Sequence, residues 1–195
     1  MGQKVRASQK IEVDHKRIQI EEEKVLLAFN KPRGIVCTTS KKDKDNIVDY
    51  INYGKRIYPI GRLDKDSEGL ILLTNQGELV DKILRGSNYH EKEYIVTVNK
   101  KITPEFLRAM GSGVPILDTV TRPCELEQIG PRTFRIILTQ GLNRQIRRMC
   151  EYFSYRVIEL TRVRVMNIRL GRLKSGTYRK IVGKELEELV KLLEK

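Results

Sequence analysis

The segment Leu70-Ile71-Leu72-Leu73 constrains this chain more than any other. Four consecutive apolar residues between turn signals read as a strand buried on both faces, because successive side chains of a strand point to opposite sides. The chain must therefore place layers above and below a central sheet. Upstream, Tyr58–Ile60 is a second strand, and the two flank the polar loop Gly61-Arg62-Leu63-Asp64-Lys65-Asp66-Ser67-Glu68-Gly69. A loop leaving a covered sheet is a common place to hold a reactive group. Taken alone, Asp64 is more often a cap or turn residue than a catalyst. Asp66 and Glu68 read as solvated turn residues, yet the sequence leaves both open as alternatives.

Around this pair the elements are interspersed without a strict strand–helix rhythm. Residues 24–29 are an apolar run, ended by the Pro32 and Gly34 turn. Residues 35–38 resume a strand, and 45–51 form a short helix. Leu79, Val80, Ile83 and Leu84 give a helical stripe, Tyr94–Val98 alternates as a strand, and Thr103-Pro104 opens a helix as cap and first residue. Residues 134–139 are a strand, 143–153 a helix, and 156–170 two strands. Residues 183–195 form an amphipathic helix. The fold class is α+β on a mixed, largely antiparallel sheet flanked by helices.

Charge narrows the partner. The net charge is +13, and residues 131–180 hold thirteen Lys and Arg, eleven of them Arg, against Glu151 and Glu159. Such a concentration of guanidinium suits phosphate binding and points to nucleic acid. In the 143–153 helix, Ile146, Met149, Cys150 and Phe153 share one face, while Arg144, Arg147, Arg148 and Glu151 share the other. Three like charges at this spacing repel, which a phosphate or a carboxylate would offset. Arg147 is the favoured partner of Asp64, holding it ionised.

Other chemistries lack support. Cys37, Cys124 and Cys150 are odd in number and form no CxxC pair, which fits reduced thiols in the cytoplasm. His15 and His90 have no ligands at metal spacing, so no metal is expected. There is no apolar run of membrane-spanning length. Gly111-Ser112-Gly113 follows a helix and lacks the third glycine of a dinucleotide loop.

The segments GRLDKDSEGLILLTNQGEL, NKPRGIVCT at 30–38, KEYIVTV at 92–98 and the stretch from 141 to 171 resemble, in order, the pseudouridine synthases of the RsuA/RluB/RluE/RluF group. The wording GLNRQIRRMCE and RVRVMNI resembles the RluF branch. The resemblance runs from about residue 25 to the end. It implies the pseudouridine synthase catalytic fold, with two subdomains and a cleft between them, over 25–195. Residues 1–24 would be a linker or the remnant of an S4-type RNA-binding domain.

The resemblance further implies uridine isomerisation in 23S ribosomal RNA, with a tRNA as the alternative substrate, by a monomer that uses no cofactor. It makes Asp64 the essential carboxylate, Tyr94 the residue packed on the target ring and Arg147 the basic partner. Arg62 matches the arginine that fills the space of the flipped base. Arg144, Arg148 and Lys31 join Arg62 in the RNA-binding set, with Lys31-Pro32 also matching a structural turn. Ser154 stands where the family usually has Gly. A non-catalytic RNA-binding module and a uracil-releasing glycosidase are the competing readings. The glycosidase needs a second acid across the bond, for which only Asp66 or Glu68 is at hand.

Overall fold

A computed structural model describes residues 11–13, 16–18, 23–84 and 89–194. Strands β1 (Ile11–Val13) and β2 (Lys16–Ile18) pair as a small hairpin. Most of the remaining residues of the 1–24 segment, including Val5 and Ile20, lie outside the described residues, so the linker reading is untouched.

Strand β3 (Leu26–Lys31) is followed by helix α1 (Ile47–Ile51), β4 (Tyr58–Ile60), β5 (Glu68–Thr74) and α2 (Gly77–Leu84). Next come β6 (Lys92–Val98), α3 (Pro104–Gly111), the two-residue strands β7 (Pro115–Ile116) and β8 (Thr119–Val120), and β9 (Glu125–Gly130). The chain closes with β10 (Thr133–Leu138), α4 (Gln145–Tyr152), β11 (Val157–Val165), β12 (Ile168–Arg169), β13 (Tyr178–Lys180) and α5 (Gly183–Leu193).

Among the described residues one large sheet runs in the order β13-β3-β5-β11-β6-β10-β9, with β4 beside β5 and β12 beside β11. Every pairing in it is antiparallel except β5 with β11. The sheet is thus mixed and largely antiparallel, in an α+β fold. Strand β5 is buried on both faces, as its composition requires. Ile71 and Leu73 join Leu27 and Phe29 in a core that also takes Phe106 of α3 and Met149 of α4. Leu70 and Leu72 join Leu26 and Ala28 in a second core, closed by Ile83 of α2 and Leu189 of α5.

The helix starts follow their caps. Thr103 Oγ1 accepts from Phe106 N–H at 3.2 Å with Pro104 next, and Asn46 Oδ1 accepts from Asp49 N–H at 2.8 Å. The strand expected at 35–38 shrinks to a single bridge between Val36 and Asn46. Both edges of β3 are already taken, by β5 and β13, so the segment beyond the turn finds no sheet edge to join.

Helix α4 ends in a Schellman motif. Tyr155 N–H donates to Cys150 O and Ser154 N–H to Glu151 O, both at 2.9 Å, with Ser154 left-handed at φ +59°. Glycine meets this conformation without a Cβ clash. Ser154→Gly is therefore expected to stabilise the fold by about 0.5–1 kcal/mol, less what the freer unfolded chain takes back. A denaturant midpoint that falls, measured against the parent protein, would contradict this.

Candidate active site

Strands β4 and β5 are antiparallel, with Ile60 opposite Leu72, and could close as a tight hairpin. Instead the chain leaves the sheet after Ile60, and β11 takes the vacated edge of β5. Thr161 lies opposite Glu68 and Arg162 opposite Gly69, in parallel. Residues 61–67 emerge where the edge of β5 changes partner, and Asp64 sits at the middle of this excursion.

Hydrogen bonds from several elements tie the loop down. Lys31, fully buried at the end of β3, donates from Nζ to Ser67 O at 2.8 Å and Pro32 O at 2.9 Å. Gly34 N–H donates to Lys65 O at 2.8 Å, and Leu63 N–H to Cys37 Sγ at 3.4 Å. Arg147 Nη2 donates to Asp66 O and Ser67 Oγ, each at 3.2 Å.

Burial pushes the Lys31 ammonium below the usual lysine range, although Asp66, Asp64 and Glu68 oppose the shift. This placement corrects the sequence reading of Lys31 as an RNA contact: a side chain with no exposed surface cannot meet a phosphate. Lys31→Met is expected to destabilise the fold by about 1–3 kcal/mol, because the Ser67 carbonyl loses its charged donor. RNA affinity should change little. A large affinity loss with unchanged stability would restore the RNA-contact reading.

The arginines also differ from a simple solvent-facing stripe. Helix α4 begins at Gln145, two residues later than the periodicity suggests, and Arg144 caps it in a left-handed conformation at φ +50°. That strained turn brings Arg144 to Asp66, with Nη1 and Nη2 donating to its two oxygens at 3.2 and 3.4 Å, and to Asp64 Oδ2 at 3.5 Å. Arg147 is buried. Its Nη2 lies 3.3 Å from Asp66 Oδ2, whereas its Nε is 4.0 Å from Asp64 Oδ2 and makes no hydrogen bond.

The expected Arg147–Asp64 pair is thus present but loose, and Asp66 is the tighter partner. Burial resists ionisation of Asp66, yet Arg144 and Arg147 outweigh it and hold the carboxyl below the ordinary range. With the folded pKa lowered, this brace contributes stability above the ordinary carboxylate pKa. It is lost only as pH falls through the lower folded value. Arg148 bonds back to Asn143, at 3.1 Å to O and 3.3 Å to Oδ1.

Two cavities flank the loop, of about 760 and 680 Å³, and Arg62, Leu63, Asp64 and Arg144 line both. The second also reaches Tyr94, Arg162, Lys92 and Arg122, and among the described residues Asp64 is the sole carboxylate in its lining. Arg62 is exposed at the rim, whereas Tyr94 is 9% exposed. The three cysteines are free. Burial lifts Cys124 to about 11 and Cys150 to about 12, so neither offers a thiolate nucleophile at neutral pH.

A family model described as RNA pseudouridylate synthase matches residues 25–152. The chain belongs to that family. As an RNA pseudouridine synthase it has well-covered relatives. A protein of Salmonella typhi named dual-specificity RNA pseudouridine synthase RluF is 56% identical across the whole chain and 68% of its own length. Ribosomal large subunit pseudouridine synthase B of Bacillus subtilis is 34% identical over 97% of the chain and 80% of its own. A crystal structure titled pseudouridylate synthase superposes with a TM-score of 0.79, at 26% identity, over 97% of this chain and 82% of that one.

For this pseudouridine synthase, sequence reasoning missed Arg162 and Lys92 in the cavity lining and the buried Ser67 at the end of the loop. A signal existed for two of them. Lys92 and Tyr94 lie two apart on one strand, and so do Leu160 and Arg162, which puts each cation on the face of its apolar neighbour. Among the described residues no helix is long and apolar enough to cross a membrane, and no group of three or more His, Cys, Asp or Glu could hold a metal.

Proposed function

We propose that this enzyme isomerises a uridine of 23S ribosomal RNA, with Asp64 as the catalytic carboxylate. The observation that carries the proposal is the place of Asp64: among the described residues, the sole carboxylate lining a cavity whose other charged side chains are cations, with Tyr94 inside and Arg62 at the mouth. A paired base must leave its stack before its glycosidic bond is accessible, at a cost of a few kcal/mol. Tyr94 offers a ring for the extruded base, and Arg62 is of a type that can stack or hydrogen-bond in the gap. Asp64 then displaces N1 from ribose C1′ or assists formation of a glycal, the uracil turns, and C5 bonds to C1′ as the Asp64–C1′ bond breaks or the glycal regains its C2′ proton. Arg144 is exposed in the cavity lining, and Arg148, half-exposed on the helix that Arg144 caps, would join it in meeting the RNA backbone.

The name of the Bacillus subtilis relative favours a large-subunit RNA. The words dual-specificity in the RluF names favour a second substrate, for which a tRNA is the alternative. The deciding experiment incubates the protein, as a monomer, with ribosomal RNA or tRNA carrying tritium at uridine C5. Release of label from 23S RNA, with pseudouridine mapped at one site, is the expected result. Label released from tRNA alone would move the substrate assignment, and free uracil in the product would replace isomerisation by hydrolysis.

A further inference from the structure

Arg162 and Lys92, two of the cations that line the cavity, have no part in the mechanism so far. Arg162, on β11, is 4% exposed, and its Nε donates to Leu70 O at 2.7 Å. Lys92, at the start of β6, donates from Nζ to His90 O at 3.3 Å. Both line the cavity that holds Asp64 and Tyr94, and among the described residues neither has a carboxylate partner. Elsewhere on the same strands cations are paired: Arg164 Nε sits 2.7 Å from Glu93 Oε2 and its Nη2 2.9 Å from Glu91 Oε2.

A buried guanidinium without a counter-charge is costly, because it gives up hydration and gains no ion pair in return. Left open to a pocket, it is a place for negative charge that arrives with, or develops on, the substrate. Burial pushes Lys92 below the usual lysine range and the nearby Arg162 charge pushes it further, so both cations act on the same space.

Depth indicates which negative charge. Backbone phosphates meet the exposed rim, where Arg62 and Arg144 stand. Arg162 instead lies directly opposite Tyr94 in the sheet, with Gly69 on its other side. A ring packed on Tyr94 lies alongside it.

We infer that Arg162, supported by Lys92, holds the negative charge of the uracil ring after its N1–C1′ bond breaks. The bonding pair leaves with N1 and spreads over O2 and O4. C1′ is meanwhile taken by the Asp64 carboxylate, or gives a glycal by loss of the C2′ proton. The ring then bonds to C1′ through C5 as the Asp64–C1′ bond breaks, or as the glycal regains its C2′ proton; the C5 proton departs to water, N1 takes up a proton, and Arg162 stays protonated throughout. The inference rests on the proposed base pocket of Asp64 and Tyr94.

The test compares single-turnover rates on RNA carrying uridine or 5-fluorouridine at the target, since fluorine at C5 stabilises the uracil anion without help from the protein. Arg162→Gln is expected to slow uridine conversion about 100-fold and Lys92→Met about 10-fold, with RNA affinity nearly unchanged. On 5-fluorouridine, followed by its disappearance, both losses should shrink several-fold. Equal losses on the two substrates, or a loss confined to affinity, would overturn the inference. Should Arg162→Gln fail to fold, Lys92→Met decides by the same comparison. Failure of the parent protein to convert any uridine is a separate result, which removes the base-pocket reading itself.

Discussion

Asp64→Asn is expected to abolish tritium release from C5-labelled RNA, by at least about 10⁴-fold, and to leave the fold intact. The two halves of this expectation come from different contacts. The amide has the size of the carboxylate but cannot attack C1′ or accept a proton. The loop, however, is not hung on Asp64: Lys31, Cys37, Arg147 and the backbone of Gly34 hold it through residues 63, 65, 66 and 67. The melting temperature should therefore move by only a degree or two. RNA affinity should hold or rise slightly, because a negative charge leaves a cavity lined by cations.

Asp66→Asn is the informative companion. It removes the tighter partner of Arg144 and Arg147, so it should lower stability and slow turnover about tenfold through a looser loop. If Asp66→Asn were the silent enzyme and Asp64→Asn the slowed one, the roles assigned to the two carboxylates would be exchanged.

The central elements were legible because burial writes itself into them. β5 is apolar on both faces, Tyr94–Val98 alternates, and α3 carries its own cap and proline. The strands the sequence left unmarked are those that bury little. β9 is polar and largely exposed at the edge of the sheet, and β13 covers β3 with Tyr178-Arg179-Lys180, so neither shows a periodic apolar signal.

The site was legible as a set of residue types, but its tighter pairings were not. Helical periodicity put Arg147 opposite the apolar face of α4, with Asp64 as its expected partner, whereas the tighter partner is Asp66. Burial of that arginine depends on a loop 80 residues upstream folding over it, as its bond to Ser67 records. Lys31 likewise reads as a surface cation until the third dimension closes the turn around it. Pairings of this kind are set by the packing of distant segments, which no local pattern encodes.

The largest structural effect is expected from Gly69→Ala. This residue opens the stretch where β5 passes from its β4 neighbour to β11, and it has φ +102°, a conformation side chains rarely adopt. A Cβ here would lie 2.3 Å from Arg162 O and 2.7 Å from Arg162 N. Both are backbone atoms of the adjoining strand, so no rotamer change can relieve the contact. Strain of roughly 1–3 kcal/mol at the residue adds to overpacking of similar size as β11 is pushed away, about 2–6 kcal/mol together. For a chain of this length that is about 5–20 °C in melting temperature. Gly34→Ala is the control, since it shares a positive φ of +89° but has nothing within 4 Å of the added carbon. It should cost only the conformational part, about 1–2 kcal/mol. Because Arg162 and Tyr94 lie in the same row across the sheet as Gly69, the Gly69→Ala enzyme should also lose turnover at temperatures where it is still folded. Equal melting temperatures for the two variants would show that the approach of β11 to β5 is looser than the geometry states, and that the strand junction does not set the position of the loop.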